Sequence, residues 1–583
     1  MNKNLVMLAQ ADFHALNIEN NVQKALKIID DAKNNNVSLV IFPEMFLVGY
    51  PIGNVLQRFP KIVEENNSAL NEIAKKAVGI KVIIGFAEEE NGQNYNSVAV
   101  LADGKIEKII KKSNLLNNEI IDDYYVTSVD GLKYGIINCE TGWNDNDFEI
   151  NSTKIEKIKS FTEQNDTDFL INCSASISRT GKEEKKDKFL QFLAKSCDKN
   201  LIYVNAVGSN EALSFGGMSR IYNKKGEIVV CAKAFEEQNF VVDVNALEMI
   251  NEVPLDFNKN KKQEFFSLDY ENDLERTYLS VVRSIKDYFK KTGFDRAVLG
   301  LSGGLDSTVC AVLLVDALGK ENVFGVSMPS KITTSGSKND AQQLAQNLGI
   351  GFFEKSIADI FDATSNTFGD IFKNVEKSWD CRYKESYTND NIQARARATI
   401  LWGIANEFEK CLPIATSDKS EAYMGYATIN GDMSGGFAPI ADITKTKLFA
   451  LAKWMNKNRV QKNAIPQTII DKRPGAELAI NPKTGKPLMA EEALMPYDFL
   501  DEVIFRIENL HQTKDEMKRV EFLYEKENKI SQEQKEEWLD KFFRRMSTAH
   551  YKWSIAVTAP IVDSHSINSA EFYQPIVSGK IKY

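Results

Sequence analysis

Short apolar runs alternate with helical segments through most of this chain, and a polar stretch breaks the alternation once. The runs LVMLAQ, LVIFPE, KVIIGFA, NSVAVL, YGIINC, DFLINCS, NLIYVNAV and EIVVCA read as strands, while NVQKALKIIDDAKNN and ALNEIAKKA have helical spacing. Strands that alternate with helices predict a layered α/β fold. Residues 246–270, around PLDFNKNKKQEFFSLDY, are polar and aperiodic and read as a linker. A lead-in helix over DLERTYLSVVRSIKDYFKKTG follows. From Ala297 a second α/β series begins, with AVLGLSGG, NVFGVSMP and CLPIATS as buried strands. The stretch from about Tyr497 is helical and charged, then irregular. The expected division is 1–245, a linker at 246–270, and 271–583.

Composition narrows the function classes. A net charge of −9 leaves no basic surplus to neutralise a nucleic-acid backbone. The seven cysteines are widely spaced with no CxxC pair, so neither a disulfide framework nor a zinc site is expected, and a reducing cytoplasm is the expected setting. The start, MNKNLVMLAQADFH, turns polar too soon for a signal peptide. No run of about 20 apolar residues suggests a membrane span.

The string after AVLGL is SGGLDS, and an apolar helix, TVCAVLLVDAL, follows it. Strand, glycine turn and helix start together make an anion cradle. Gly303 and Gly304 permit close backbone approach, and free N–H groups at the helix start point at phosphate. No GxxxxGK[ST] pattern is present, so this is not a Walker A loop. Asp306 instead offers a carboxylate that can hold magnesium beside phosphates. The string resembles the PP-loop of the ATP-pyrophosphatase superfamily, whose members adenylate a substrate and release pyrophosphate.

Further strings, NDNIQARARATILWGIANEF, ATSDKSEAYMGYATINGDMSGG, DKRPGAELAIN and ALMPYDFLD, occur in that order. With the loop they resemble the synthetase domain of NAD synthetases over roughly residues 275–560. The resemblance implies that Ser302, Gly303, Gly304, Leu305, Asp306 and Ser307 wrap the ATP phosphates and that Thr416 contacts ATP. It places Asp306 on magnesium, Glu421 as a second magnesium or substrate carboxylate, and Lys445 near phosphate. Asn391, Arg395 and Lys552 would face deamido-NAD. In this chain Gly475 and Trp553 stand where that family usually has serine and arginine.

In the first half, LVIFPEMFLVGYP, IIKKSNLL and YGIINCETGW each put a polar residue at or just beyond a strand: Glu44, Lys112 and Cys139. A nucleophilic cysteine needs a base and a stabiliser for the oxyanion. Of the four histidines only His14 lies in this half, in an N-terminal turn, so Glu44 as base and Lys112 as cation make the better constellation. These strings resemble the nitrilase superfamily over about residues 4–245, with its αββα sandwich and Glu–Lys–Cys triad. The resemblance implies Cys139 as nucleophile and the Glu140 backbone N–H in the oxyanion hole. LINCSASISRTGK matches a segment by which Ser176 and Lys182 would hold the rest of glutamine. Asn118 stands at the glutamine-site position usually held by tyrosine, and Thr141 replaces the usual aspartate after Cys139.

Together the two resemblances imply an ATP-dependent ligase. It would adenylate the nicotinate carboxylate of deamido-NAD and amidate it with ammonia from glutamine, passed through a buried passage. A homodimer or larger assembly through the second half is also implied. Two other readings stay open at the level of sequence: nicotinic acid mononucleotide as acceptor, and an amidase-like half that is a non-catalytic scaffold.

Overall fold

The computed structural model describes residues 4–52, 55–115, 121, 123–138, 143–144, 149–253, 273–379, 387–459, 461–472, 475–480, 487–553, 555–564 and 566. The chain divides into two compact units, Met1–Asn272 and Asp273–Tyr583.

The first unit holds two large sheets. One runs, in spatial order, through Glu248–Val253, Gln238–Asp243, Leu5–Gln10, Leu39–Ile41, Lys81–Glu90, Gln93–Ala102 and Lys105–Asn114. The other runs through Ile228–Cys231, Arg220–Tyr222, Asn200–Asn205, Phe169–Ser174, Leu132–Asn138 and Tyr125–Val129. Successive strand residues face opposite ways, so one strand serves two cores. Val6 and Leu8 join Ile41 and Ile83 in a core shared with Ile136, Ile171 and Val204 of the second sheet. Met7 and Ala9 face the other way, onto helices Ile18–Asn34 and Pro60–Lys76 through Ile28, Ile29 and Ile73. The outer face of the second sheet is covered by helices Ser152–Asn165 and Lys182–Cys197, where Ile158 and Leu190 meet Leu170 and Tyr203. The layers are helix, sheet, sheet, helix, as the αββα expectation requires.

The second unit is built on a parallel sheet in the order Gly351–Glu354, Val323–Ser327, Arg296–Gly300, Cys411–Pro413. Ala297 and Leu299 pack with helices Asp273–Thr292, Leu305–Leu318, Ser335–Leu348 and Lys445–Asn458. Val298 and Val326 face the opposite side, with Ala396 and Leu401 of helix Thr388–Glu407. Helices on both faces of a parallel sheet make the doubly wound arrangement expected from sequence. Tyr497–Glu508 and Gln532–Trp553 form a separate helical core with Tyr423 and Met424.

The stretch read as linker differs from expectation in one part. Glu248–Val253 pairs antiparallel with Gln238–Asp243 and extends the first sheet. Its sequence, EMINEV, neither alternates strictly nor forms an apolar run, so it gave no strand signal. Residues 254–272 lie outside the described residues.

Candidate active sites

In the first unit Glu44 follows the strand Leu39–Ile41, and the chain turns sharply after it, with Met45 at a φ of 53°. Gly85, on the neighbouring strand, lets the two backbones touch: a Cβ there would sit 2.3 Å from the Met45 nitrogen and 2.6 Å from the Glu44 Cα. Glu44 and Lys112 are 7% and 5% exposed, and they form an ion pair through Glu44 Oε1. Buried charge is costly unless paired and hydrogen-bonded. Asn96 Nδ2 also donates to Oε1 at 2.5 Å, and the Ala175 backbone N–H donates to Oε2 at 2.9 Å. The arrangement offers a proton-accepting carboxylate beside an ammonium able to hold a developing oxyanion.

Ala175 comes from the chain just past strand Phe169–Ser174, whose Cys173 pairs in register with Asn138 of the adjacent strand. That adjacent strand ends one residue before Cys139. Cys139, Glu140, Thr141 and Asn118 lie outside the described residues. Ser176 is buried, and its backbone N–H donates to Asn205 Oδ1 at 2.8 Å. Lys182 is half-buried at the start of helix Lys182–Cys197.

In the second unit, helix Leu305–Leu318 starts at Gly304 with no side-chain cap, so its first N–H groups face the loop before it. Gly303 has a φ of +74°, and a Cβ there would lie 2.1 Å from the Ser337 carbonyl oxygen. Ser302 Oγ accepts from the Gly304 N–H at 3.1 Å, and Ser307 Oγ accepts from the Ser302 N–H at 3.3 Å. The cleft over this loop is lined by Ser302, Asp306, Thr416, Glu421, Lys445 and Arg397, among others.

Lys445 is 1% exposed at its side chain and lies 2.6 Å from Asp418, 2.7 Å from Asp306 and 3.1 Å from Glu421. Burial works against its charge, but the three carboxylates outweigh burial and hold its pKa well above the ordinary lysine range. Burial drives the Glu421 carboxyl well above its ordinary value, against the pull of Lys445, and raises Asp418 for the same reason. Three acids face one ammonium, and oxygens of Asp306, Asp418 and Glu421 lie within 4.8 Å of one another. A set of carboxylate oxygens short of positive charge fits a hard divalent cation.

Asp418 was not singled out from sequence. Its signal is the spacing Asp418–Glu421 at a helix start, where Asp418 Oδ1 accepts from the Glu421 N–H at 2.9 Å. Lys338 and Lys472, also unassigned from sequence, line the same cleft, and Lys472 Nζ bonds Ser337 Oγ. The three residues assigned to the dinucleotide alongside Glu421 meet on one loop. Asn391 Oδ1 accepts from Thr428 Oγ1 at 2.7 Å, and Arg395 Nε donates to the Ile429 carbonyl at 3.2 Å. Lys552 Nζ donates to the carbonyls of Gly425 and Ala427 at 2.8 and 2.6 Å.

Two family models match the chain: one described as NAD synthase over residues 277–541, and one described as carbon-nitrogen hydrolase over residues 5–253. The glutamine-dependent NAD(+) synthetase of Thermotoga maritima is 32% identical over 86% of this chain and 88% of its own length. That of Acinetobacter baylyi is 30% identical over 98% of each. Among solved structures, the glutamine-dependent NAD+ synthetase of Acinetobacter baumannii, in complex with adenosine diphosphate, covers 100% of both chains at 28% identity with a TM-score of 0.69. One from Cytophaga hutchinsonii covers 99% of this chain and 98% of its own at 21% identity with a TM-score of 0.76, a likeness of fold.

Proposed function

We infer, because this chain belongs to the glutamine-dependent NAD(+) synthetases, that it joins ammonia from glutamine to the nicotinate carboxylate of deamido-NAD while cleaving ATP to AMP and pyrophosphate. The observation that carries the reading is the phosphate loop opening onto Asp306, Asp418, Glu421 and Lys445. Transfer of AMP needs both an anion cradle and countercharge on the departing pyrophosphate.

In the first unit, the Cys139 thiolate adds to the glutamine amide carbonyl. Glu44 takes the thiol proton and returns it to the leaving ammonia. Lys112 and the Glu140 N–H hold the oxyanion, and Ser176, Lys182 and Asn118 bind the rest of glutamine. Water then cleaves the thioester with Glu44 as base, giving glutamate. The pair Glu44–Lys112, buried and ready in place, supports these roles.

In the second unit, a carboxylate oxygen of the acceptor attacks the α-phosphorus of ATP. Ser302 to Ser307 and Thr416 hold the nucleotide, and pyrophosphate leaves. Ammonia then attacks the mixed anhydride and AMP departs, with no covalent bond to the protein. Asp306 and Glu421, with Asp418 beside them, would hold magnesium, which neutralises phosphate charge when bound. Asn391, Arg395 and Lys552 are read as shaping the dinucleotide side through the loop they grip.

Assembly as a homo-oligomer through the second unit is supported by the exposed Ile371, Phe372 and Trp379 of helix Ala358–Trp379. A reducing, cytoplasmic setting is supported by the buried thiols of Cys197, Cys231, Cys310 and Cys411, which form no disulfide. No described helix is long and apolar enough to cross a membrane.

The test compares two donors and two acceptors. With deamido-NAD, AMP and pyrophosphate should accumulate, and nicotinic acid mononucleotide should be the poorer acceptor. Cys139→Ala should lose the glutamine-driven reaction and keep the ammonia-driven one within about twofold. A folded Cys139→Ala protein that loses both, or a wild type that yields ADP and orthophosphate, would overturn the assignment.

A further inference from the structure

Helix Lys419–Tyr423 has five residues and carries Glu421, with Asp418 as its cap. A helix that short has no stability of its own in water, so whatever surrounds it decides where its side chains point. Its anchors can be named. Ser420 Oγ donates to Asp501 Oδ1 at 2.5 Å, and Tyr423 OH donates to Glu508 Oε1 at 2.7 Å. Lys419, fully buried, meets Glu508 at 2.7 Å, Asp563 at 3.2 Å and Asp442 at 3.5 Å.

Asp563 reaches this helix from far along the chain. It belongs to the segment 555–564, which lies beyond residue 541, where the matched NAD synthase region ends. The segment is clamped by main-chain bonds. The N–H groups of Val562 and Asp563 donate to Asp442 Oδ2 at 2.8 and 2.9 Å, and the Thr558 carbonyl accepts from the Ala438 N–H at 2.9 Å. Ala559, Ile561 and Val562 are buried, so the clamp is part of the core and not a loose end.

We propose that Asp563 is a positioning residue for adenylation: through Lys419 it fixes the short helix that presents Asp418 and Glu421 to the phosphate loop. The inference rests on the reading of this cluster as a nucleotide and cation site. Removing the Asp563 carboxylate takes one counterion from a lysine sealed away from water. Lys419 keeps Glu508 and Asp442 and re-centres on them, and the segment from Asp418 to Glu421 shifts with it. Groups that orient ligating carboxylates are worth roughly tenfold to hundredfold in metal affinity.

The experiment uses the full chain with Asp563→Asn, Asp563→Ala and Asp563→Glu. Manganese binding is followed by water-proton relaxation, ammonia-driven AMP formation is followed against magnesium concentration, and folding is followed by thermal midpoint. The Asn and Ala variants should bind manganese roughly tenfold more weakly and need correspondingly more magnesium, whereas Glu should restore most of both. Asp563→Asn keeps the shape of the side chain, so it serves if Asp563→Ala does not fold. A folded Asp563→Asn protein with wild-type manganese affinity and magnesium requirement would overturn the proposal. So would losses that track the thermal midpoint alone and are not restored by Glu. A wild type that neither binds manganese nor forms AMP would overturn the parent reading and the proposal with it.

Discussion

Gly303 and Gly85 are held to glycine by what lies against them, and each guards one chemistry. At Gly303 the conformation is left-handed and the Ser337 carbonyl oxygen occupies the space a Cβ would need. Gly303→Ala should therefore deform the phosphate loop and lower synthesis with either nitrogen donor by about a hundredfold, as a displacement near 1 Å does elsewhere. Glutamate release from glutamine should persist. Gly85→Ala should push Glu44 off its pairing with Lys112, so glutamine-driven synthesis falls while ammonia-driven synthesis stays. AMP formation measured with each donor separates the two outcomes. The two glycines also differ in how legible they are. Gly303 sits between a strand and a helix in SGGLDS, where its task is written in its neighbours. Gly85 sits inside KVIIGFA like any strand residue, and the pressure on it comes from the turn at Glu44 and Met45, which no local spacing displays.

Among elements, helix Tyr497–Glu508 acts as the frame against which the reactive segment is set. Asp501 accepts from Ser420 Oγ on one oxygen and from the Thr446 N–H and Oγ1 on the other, at 2.8 and 2.7 Å. It thereby holds both flanks of the cluster, one residue from Glu421 and one residue from Lys445. Asp501→Asn would turn an NH2 group toward a donor and leave it unsatisfied. A cost of about 1–3 kcal/mol is expected, read as a lower denaturation midpoint of the second unit. The same helix gives the unit a pH signature. Burial, opposed by Ser420 and Thr446, raises Asp501 from 3.8 to about 6, and burial, opposed by Lys419, raises Glu508 from 4.5 to about 7. Each carboxyl holds its proton more tightly in the fold than in the unfolded chain. Their stabilising contribution is complete below the unfolded values and disappears as pH rises through about 6 and about 7. Amide exchange in helix Tyr497–Glu508 should accordingly quicken, after correction for intrinsic rates, between pH 5 and pH 7.5. Glu508→Gln should flatten that dependence. The family strings ALMPYDFLD and SDKSE contain Asp501, Lys419 and Ser420 but not Thr446 or Glu508, and the bonds joining them span long stretches of chain, so sequence showed some of the parts and not the frame.

At the scale of the whole molecule, the two layered units were legible because alternation of apolar residues reports burial directly. The αββα order follows from Val6 and Leu8 entering one core and Met7 and Ala9 another. The parallel sheet of the second unit was legible from runs such as AVLGL, apolar on both faces. What escaped is what alternation does not encode. The edge strand Glu248–Val253 shows itself by its backbone pairing with Gln238–Asp243, and the anchoring segment 555–564 has its meaning only in the residues it meets.

The strand Leu5–Gln10 commits each side chain to one of two separate interiors. Substitution there costs the volume of one side chain, but a single inserted residue would send every later side chain of the strand into the wrong interior at once. Such a chain is free to drift in residue type along its strands while remaining intolerant of any change in their length. Insertions and deletions are therefore expected to be tolerated in the connections, where a register carries no information.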